Sequence, residues 1–415
     1  MSRRWVIALV AGVVLIAAGV GAAALVVWHN RHPGTIRGSG STEFETTAEP
    51  GATTRPEKVI RKVPWPTYGY DEQRSRYVPG IDLRPPYRKL WTVKAGSLLE
   101  FPPVVAYGHV YVGSNNGRFY AVESETGRIA WKTNLQRCIA ASPTVGKRVV
   151  YQPLMDPHPC REHKQNAPGF MVAFDADTGD ELWRFQAGVI ESSPLVVGRL
   201  LYFGSWDGKV YALDVRTHKP VWTFATGDQV KGGPAYANGT LYFGSYDDKV
   251  YAVNARTGKL RWSASGTANF YATPTVAYGR VFVGNTDGRV YAFGADSGHL
   301  LWAKATGGFV YSSAAVWDRT VYVGSYSKRF YALDAGSGDV RWSFDAGAPI
   351  SGAPTVLDGV VYFSTLDEKT FALDARNGKK LWRFDDGKYS PVVADRERIY
   401  LAGYKKLYGL APESG

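Results

Sequence analysis

The sequence predicts an all-β fold: a β-propeller of eight four-stranded antiparallel blades, closed by an N-terminal strand and preceded by one transmembrane helix. Three observations carry this. Trp91, Trp131, Trp183, Trp222, Trp262, Trp302, Trp342 and Trp382 recur at intervals of 40, 52, 39, 40, 40, 40 and 40 residues. Each interval holds four short strand patterns, and a period near 40 with four strands per unit marks propeller blades. Trp5 to Trp28 is a run of 24 residues without a charge, long enough to cross a bilayer as a helix.

Residues 1–4 read as a short cytoplasmic N-terminus and 5–28 as a signal-anchor helix. Arg3 and Arg4 precede the run and Arg31 and Arg37 follow it, so charge bias supports an N-in orientation only mildly. A cleaved signal peptide is the rival reading, with Ala22, Ala23 and Ala24 at the cleavage site. Against it, Leu25 to Trp28 continues the apolar run, and no Cys follows as lipidation would require. Residues 29–64, rich in Thr, Glu, Gly and Pro, read as a flexible tether. The propeller then occupies 65–411, and 412–415 is a tail.

One blade is clearest from Ser192 to Trp222: Ser-Ser-Pro-Leu-Val, then Leu201-Tyr-Phe-Gly-Ser, then Lys209-Val-Tyr-Ala-Leu-Asp, then Lys219-Pro-Val-Trp-Thr-Phe. These are strands A to D. Between B and C stand Asn116-Gly117, Asp207-Gly208 and Asp287-Gly288, where a two-residue hairpin needs positive φ. Between C and D the pattern is Asp-x-x-Thr/Ser-Gly. The Asp (Asp175, Asp214, Asp334, Asp374) bonds turn amides and Gly takes the left-handed position, a scaffold role and not repeated acid chemistry.

Strand C, this turn and strand D together read Ala-x-Asp-x-x-Thr-Gly-x-x-x-Trp, complete in Ala173 to Trp183, with Gly294, Asn377 and His218 as departures. This resembles the quinoprotein-type, PQQ-like propeller repeat. The small Ala leaves room for the indole of a neighbouring blade, so each Trp reads as a blade-to-blade dock. Strand-C signatures at Tyr120, Met171, Tyr211, Tyr251, Tyr291, Tyr331, Phe371 and Tyr408 count eight blades. The last lacks a strand D, whereas Arg88 to Val93 is a strand D with nothing before it. The N-terminal strand therefore closes the ring and removes two exposed edges. The segment from Trp65 to Pro86 resembles the family's lead-in and is expected to pack outside the closure.

The chain carries 49 Lys and Arg against 37 Asp and Glu, a formal net charge of +12. No nucleic-acid motif accompanies it, so an exported basic surface points to anionic lipids or wall polymers, or is simply solvated. Cys138 and Cys160 both belong to the blade with the 52-residue interval. They lie in loops that emerge on one face, and a disulfide outside the cytoplasm is expected. The alternative is zinc held by Cys138, His158, Cys160 and His163, a spacing that matches no familiar zinc motif. His109, His218 and His299 fall in turns or at strand starts, where solvated histidine is the ordinary reading.

Quinoprotein dehydrogenases share the eight-bladed plan. The resemblance implies a quinone above the channel, calcium with acidic and amide ligands, a Trp floor and often a ring of adjacent cysteines. No such ligand set can be matched here, so neither PQQ nor calcium is expected and no catalytic residue is assigned. The nearer resemblance is to the non-enzymatic BamB-type propeller. It implies a scaffold for envelope proteins or polymers; that family is typically lipid-anchored through an N-terminal Cys, whereas here the apolar run is expected to act as a single-pass anchor with the propeller on the extracytoplasmic side. A dehydrogenase or a small-molecule-sensing ectodomain remains the alternative.

A candidate binding face follows from the start of strand A. Three residues before Pro103, Pro143, Pro194, Pro234, Pro274, Ala314, Pro354 and Pro391 stand Glu100, Ala140, Glu191, Lys231, Tyr271, Tyr311, Ser351 and Lys388. This position varies while the rest of the repeat stays constant. Strand A is innermost, so these side chains are expected to ring one mouth of the channel. Cross-blade ion pairing, Glu191 with Lys231 and Lys388 with Glu100, is the competing reading.

Overall fold

Alternating apolar residues build every blade, and the computed structural model places eight of them in a ring. It describes residues 35–38, 49–50, 55–160, 166–390 and 392–413. Each blade is a four-stranded antiparallel meander, from Val104–Ala106, His109–Gly113, Arg118–Glu123 and Ile129–Asn134 in blade 1 to the closure in blade 8. In blade 8 the last three strands pair with Tyr87–Lys94, whose Trp91, Thr92 and Val93 face Gly409, Tyr408 and Leu407 across the ladder. The closure is thus as expected, and its reason is the pairing of two otherwise open sheet edges.

Strands B and C are almost wholly buried, while strand D alternates exposed and half-buried residues. Within a blade the repeat Ala lies directly opposite its own Trp, as Ala173 opposite Trp183 and Ala332 opposite Trp342. The Ala therefore makes room for the Trp of its own sheet, a correction to the expectation that it receives a neighbour's. The dock to the next blade is made by the turn. Trp302 Nε1 donates to the Ala335 carbonyl at 3.1 Å, and Trp131, Trp222, Trp262 and Trp342 repeat this with Ala176, Ala255, Ala295 and Ala375. The turn glycine lies against the indole face, where a Cβ on Gly338 would meet the Trp302 ring at 2.7 Å. The Asp caps are as read: Asp175 Oδ1 accepts from the amides of Asp177 and Thr178, both at 2.9 Å. His218, expected as a solvated bystander, instead takes the glycine's left-handed place at φ 60° and stacks on Trp183 at 4.8 Å.

The lead-in does not pack outside the closure. It winds around the inside of the ring. Trp65 exchanges both backbone hydrogen bonds with Val105 of blade 1, and the carbonyls of Pro66, Glu72, Gln73, Ser75 and Arg76 accept from Val145, Tyr236, Val276, Val316 and Val356. Those donors are the middle residues of strand A in blades 2, 4, 5, 6 and 7. The physical reason is that each innermost strand has an unpaired edge, and buried amides demand acceptors. Arg74 completes the plug with no solvent exposure. Its guanidinium donates to the carbonyls of Pro234, Pro194, Ser193 and Tyr68 and to Thr67 Oγ1.

Two stretches of the expected tether also carry structure. Thr35–Arg37 adds an antiparallel strand outside blade 5, opposite Trp302 to Lys304, and Glu57–Lys62 is a short helix. The outer edge of strand D offers open backbone donors and acceptors to the first, and the Lys62 carbonyl at the end of the second accepts from the Tyr107 amide of blade 1. The apolar run 5–28 lies outside the described residues, and among those described no helix is long and apolar enough to cross a membrane.

Candidate functional site: a blind pocket at the channel mouth

Because the plug closes the channel from within, its open end becomes a pocket of about 410 Å³. Tyr68 from the lead-in contributes to its lining, and the starts of the strands A supply most of its wall. Of the positions singled out in the sequence, Glu100, Glu191, Lys231, Tyr271, Tyr311 and Ser351 all line it. Lys388 does not belong to the lining, and its neighbour Tyr389 does. The Lys388 ammonium lies 3.7 Å from Glu368 and 4.6 Å from the centre of the Tyr404 ring, so the suggested pairing with Glu100 gives way to Glu368. Ala140 is buried.

One side of the pocket is polar and closed on itself. Glu191 accepts from Tyr271 Oη at 2.8 Å through one oxygen and from Trp206 Nε1 at 3.0 Å through the other. The Lys231 ammonium stands 3.9 Å from the same carboxylate and is held over the rings of Trp206 and Tyr246 at 4.2 and 4.6 Å. The suggested Glu191–Lys231 pair is therefore present. Burial, with the Glu191 carboxylate adding to it, pushes the Tyr271 phenol well above its ordinary range. Burial and then the charge of Glu191 push Glu100 up to about 7.

The other side is aromatic. Tyr311 meets Tyr271 and Tyr326 edge to face, each at 5.2 Å, and Phe309 at 5.9 Å. Trp206, Tyr246 and Tyr326 were missed in the sequence, yet they share a place: each follows a Gly-Ser pair at the B–C turn. Their amides donate to Val189, Gln229 and Phe309 in the loop entering strand A of the same blade. This turn shares a face with the strand-A starts, and that shared face was the available signal.

Behind Phe101, Cys138 and Cys160 form a disulfide across 22 residues, as expected. Cys138, His158 and Cys160 converge within 4.8 Å, but sulfurs bonded to each other are not thiolate ligands, which corrects the zinc alternative. His163 lies outside the described residues.

The pocket's own donors do not fit a quinone with calcium. Calcium takes six to eight oxygen ligands. Both Glu191 oxygens are already engaged, the lead-in places Tyr68 in the lining instead of a Trp, and the disulfide does not reach the lining.

Ring, repeat and plug define a PQQ-like propeller protein. The family described as outer membrane protein assembly factor BamB matches residues 85–222, 206–313 and 287–415, and the chain belongs to this family. It is 27% identical to the BamB assembly factor of Burkholderia pseudomallei over 170 residues, which is 40% of this chain and 38% of that protein. It is 29% identical to the quinohemoprotein alcohol dehydrogenase of Comamonas testosteroni over 181 residues, 42% of this chain and 20% of that protein. The matched stretches thus span well under two thirds of either relative. In fold it is similar to the crystal structure of BamB from Moraxella catarrhalis, with a TM-score of 0.65, 16% identity and coverage of 79% of this chain and 100% of that one. The Comamonas dehydrogenase structure gives 0.70, 16%, 85% and 82%.

Proposed function

We propose that this chain is a non-enzymatic binding module, held on the extracytoplasmic side of a membrane by the apolar segment 5–28, and that it engages an envelope protein or anionic polymer. The observation that carries the reading is the plugged channel. A walled pocket lined by aromatic residues and a few charged groups is built to hold a group in place, and its carboxylates do not form a metal-ligand set. Likeness to the BamB assembly factors supports the scaffold role, the Cys138–Cys160 disulfide supports an oxidising compartment, and the net charge of +12 suits polyanionic neighbours. Co-purification of the intact protein tests it: Tyr311→Ala is expected to reduce partner capture while melting changes little, since Tyr311 is only partly buried. Unchanged capture would move the contact to the outer basic surface.

The alternative, a quinone-dependent dehydrogenase or a small-molecule-sensing ectodomain, is favoured by the likeness to the Comamonas enzyme. Saturable quinone binding with calcium, together with dye-linked alcohol oxidation, would establish the enzyme.

A further inference from the structure

We propose that the pocket takes a primary alkylammonium group, with Glu100 as its counter-ion and the Tyr271, Tyr311 and Tyr326 rings as its aromatic wall. The proposal rests on the reading of the mouth as a binding site and names the chemistry of what enters it.

The charges of the pocket are unevenly spent. Glu191 is balanced by Lys231 and by two hydrogen-bond donors. Glu100 has no ion pair among the described residues: the charge that acts on it is Glu191, which is of like sign, and Asn115 is its hydrogen-bond partner. A carboxylate held in a half-buried site without a cation favours any ligand that supplies one. The guanidinium groups of Arg74 and Arg76 do not line the pocket. Arg74 is saturated by its carbonyl and hydroxyl acceptors, and Arg76 lies 3.9 Å from the centre of the Tyr68 ring, buried within the plug.

The aromatic wall that shares the pocket with Glu100 suits the same ligand. The Tyr311 contacts with Tyr271 and Tyr326 are 88° and 65° from coplanar, so the rings present differently directed faces around one space. Ring faces attract cations. The protein already uses this chemistry in the Lys231 ammonium held by Trp206, Tyr246 and Glu191. A blind cavity of about 410 Å³ accepts an ammonium on a flexible stem, from a lysine side chain or a free amine.

The test is calorimetric titration of the full chain in detergent with three probes: acetyl-Gly-Lys-Gly-amide, its norleucine counterpart and n-butylammonium. The lysine peptide is expected to bind about tenfold more tightly than the norleucine peptide, and Glu100→Gln is expected to abolish that preference at unchanged melting temperature or above. A lysine peptide clearly tighter than n-butylammonium identifies a polypeptide source, and equal affinity identifies a free amine; both support the proposal. Equal or tighter norleucine binding overturns it while leaving the mouth a binding site. So does a lysine preference that survives Glu100→Gln. Binding of neither peptide also overturns it, and co-purification with Tyr311→Ala then decides whether the mouth reading falls as well.

Discussion

Glu191 and Tyr271 stand two blades apart, at the starts of the inner strands of blades 3 and 5, and join across the pocket by a hydrogen bond of 2.8 Å. The bond ties walls that no strand pairing connects. Tyr271→Phe removes only the hydroxyl, leaving Trp206 and Lys231 on the carboxylate. The expected loss is about 1 kcal/mol in urea unfolding. A variant as stable as the wild type would mean that water replaces the phenol freely.

Glu100 makes stability depend on pH. Its carboxyl is raised from 4.5 to about 7 by burial and then by Glu191, with Asn115 opposing. The other ionisable groups near it are Tyr271 and Tyr389. The folded state thus holds this proton more tightly than the unfolded state. The contribution is fully present below pH 4.5, shrinks as the pH rises, and is lost as the pH passes through about 7, where the folded carboxyl is half ionised. Glu100→Gln should therefore gain relative to wild type across that window, by on the order of 1–3 kcal/mol at pH 8. Melting curves at pH 4 and pH 8 measure it, and an identical difference at both would refute the assignment.

The indole docks can be separated from backbone strain by two glycines of similar conformation. Gly80 has φ +70° and nothing within 4 Å of an added Cβ, whereas Gly338 has φ +73° and the Trp302 ring at 2.7 Å. Gly80→Ala should cost about 1 kcal/mol, the left-handed penalty alone. Gly338→Ala should cost clearly more, because the ring is fully buried and has nowhere to move. Equal costs in denaturant titrations would remove the dock from the account.

Arg74→Leu should be among the most damaging single changes in the chain. It leaves the carbonyls of Ser193, Pro194 and Pro234, in blades 3 and 4, without their shared donor. Each buried carbonyl left without a donor costs about 1–3 kcal/mol. Arg74→Lys should recover little, since an ammonium cannot span acceptors arranged for a planar fork. A well-folded Arg74→Leu protein would show that the lead-in holds the ring without it.

The spacing of Trp91 to Trp382 determined the blade count, and the surplus strand at Arg88 to Val93 determined the closure. Both are local and periodic, so they are legible wherever pattern follows strand. The pairing of Cys138 with Cys160 was legible because two loops of one blade must emerge together. The repeat also placed Glu100, Glu191, Lys231, Tyr271, Tyr311 and Ser351 at one mouth, since equivalent positions in a ring share a radius and a height.

What only the tertiary structure decided is what lies inside that ring. Trp65 to Val78 has no repeat and no alternation. Its partners are single amides in blades 1, 2, 4, 5, 6 and 7, offered by inner edges that exist only once the ring has closed. The buried Arg74, the lining Tyr68 and the blind pocket above them follow from that geometry. The same is true of Glu100, whose lack of an ion pair among the described residues is a property of which side chains the ring brings together.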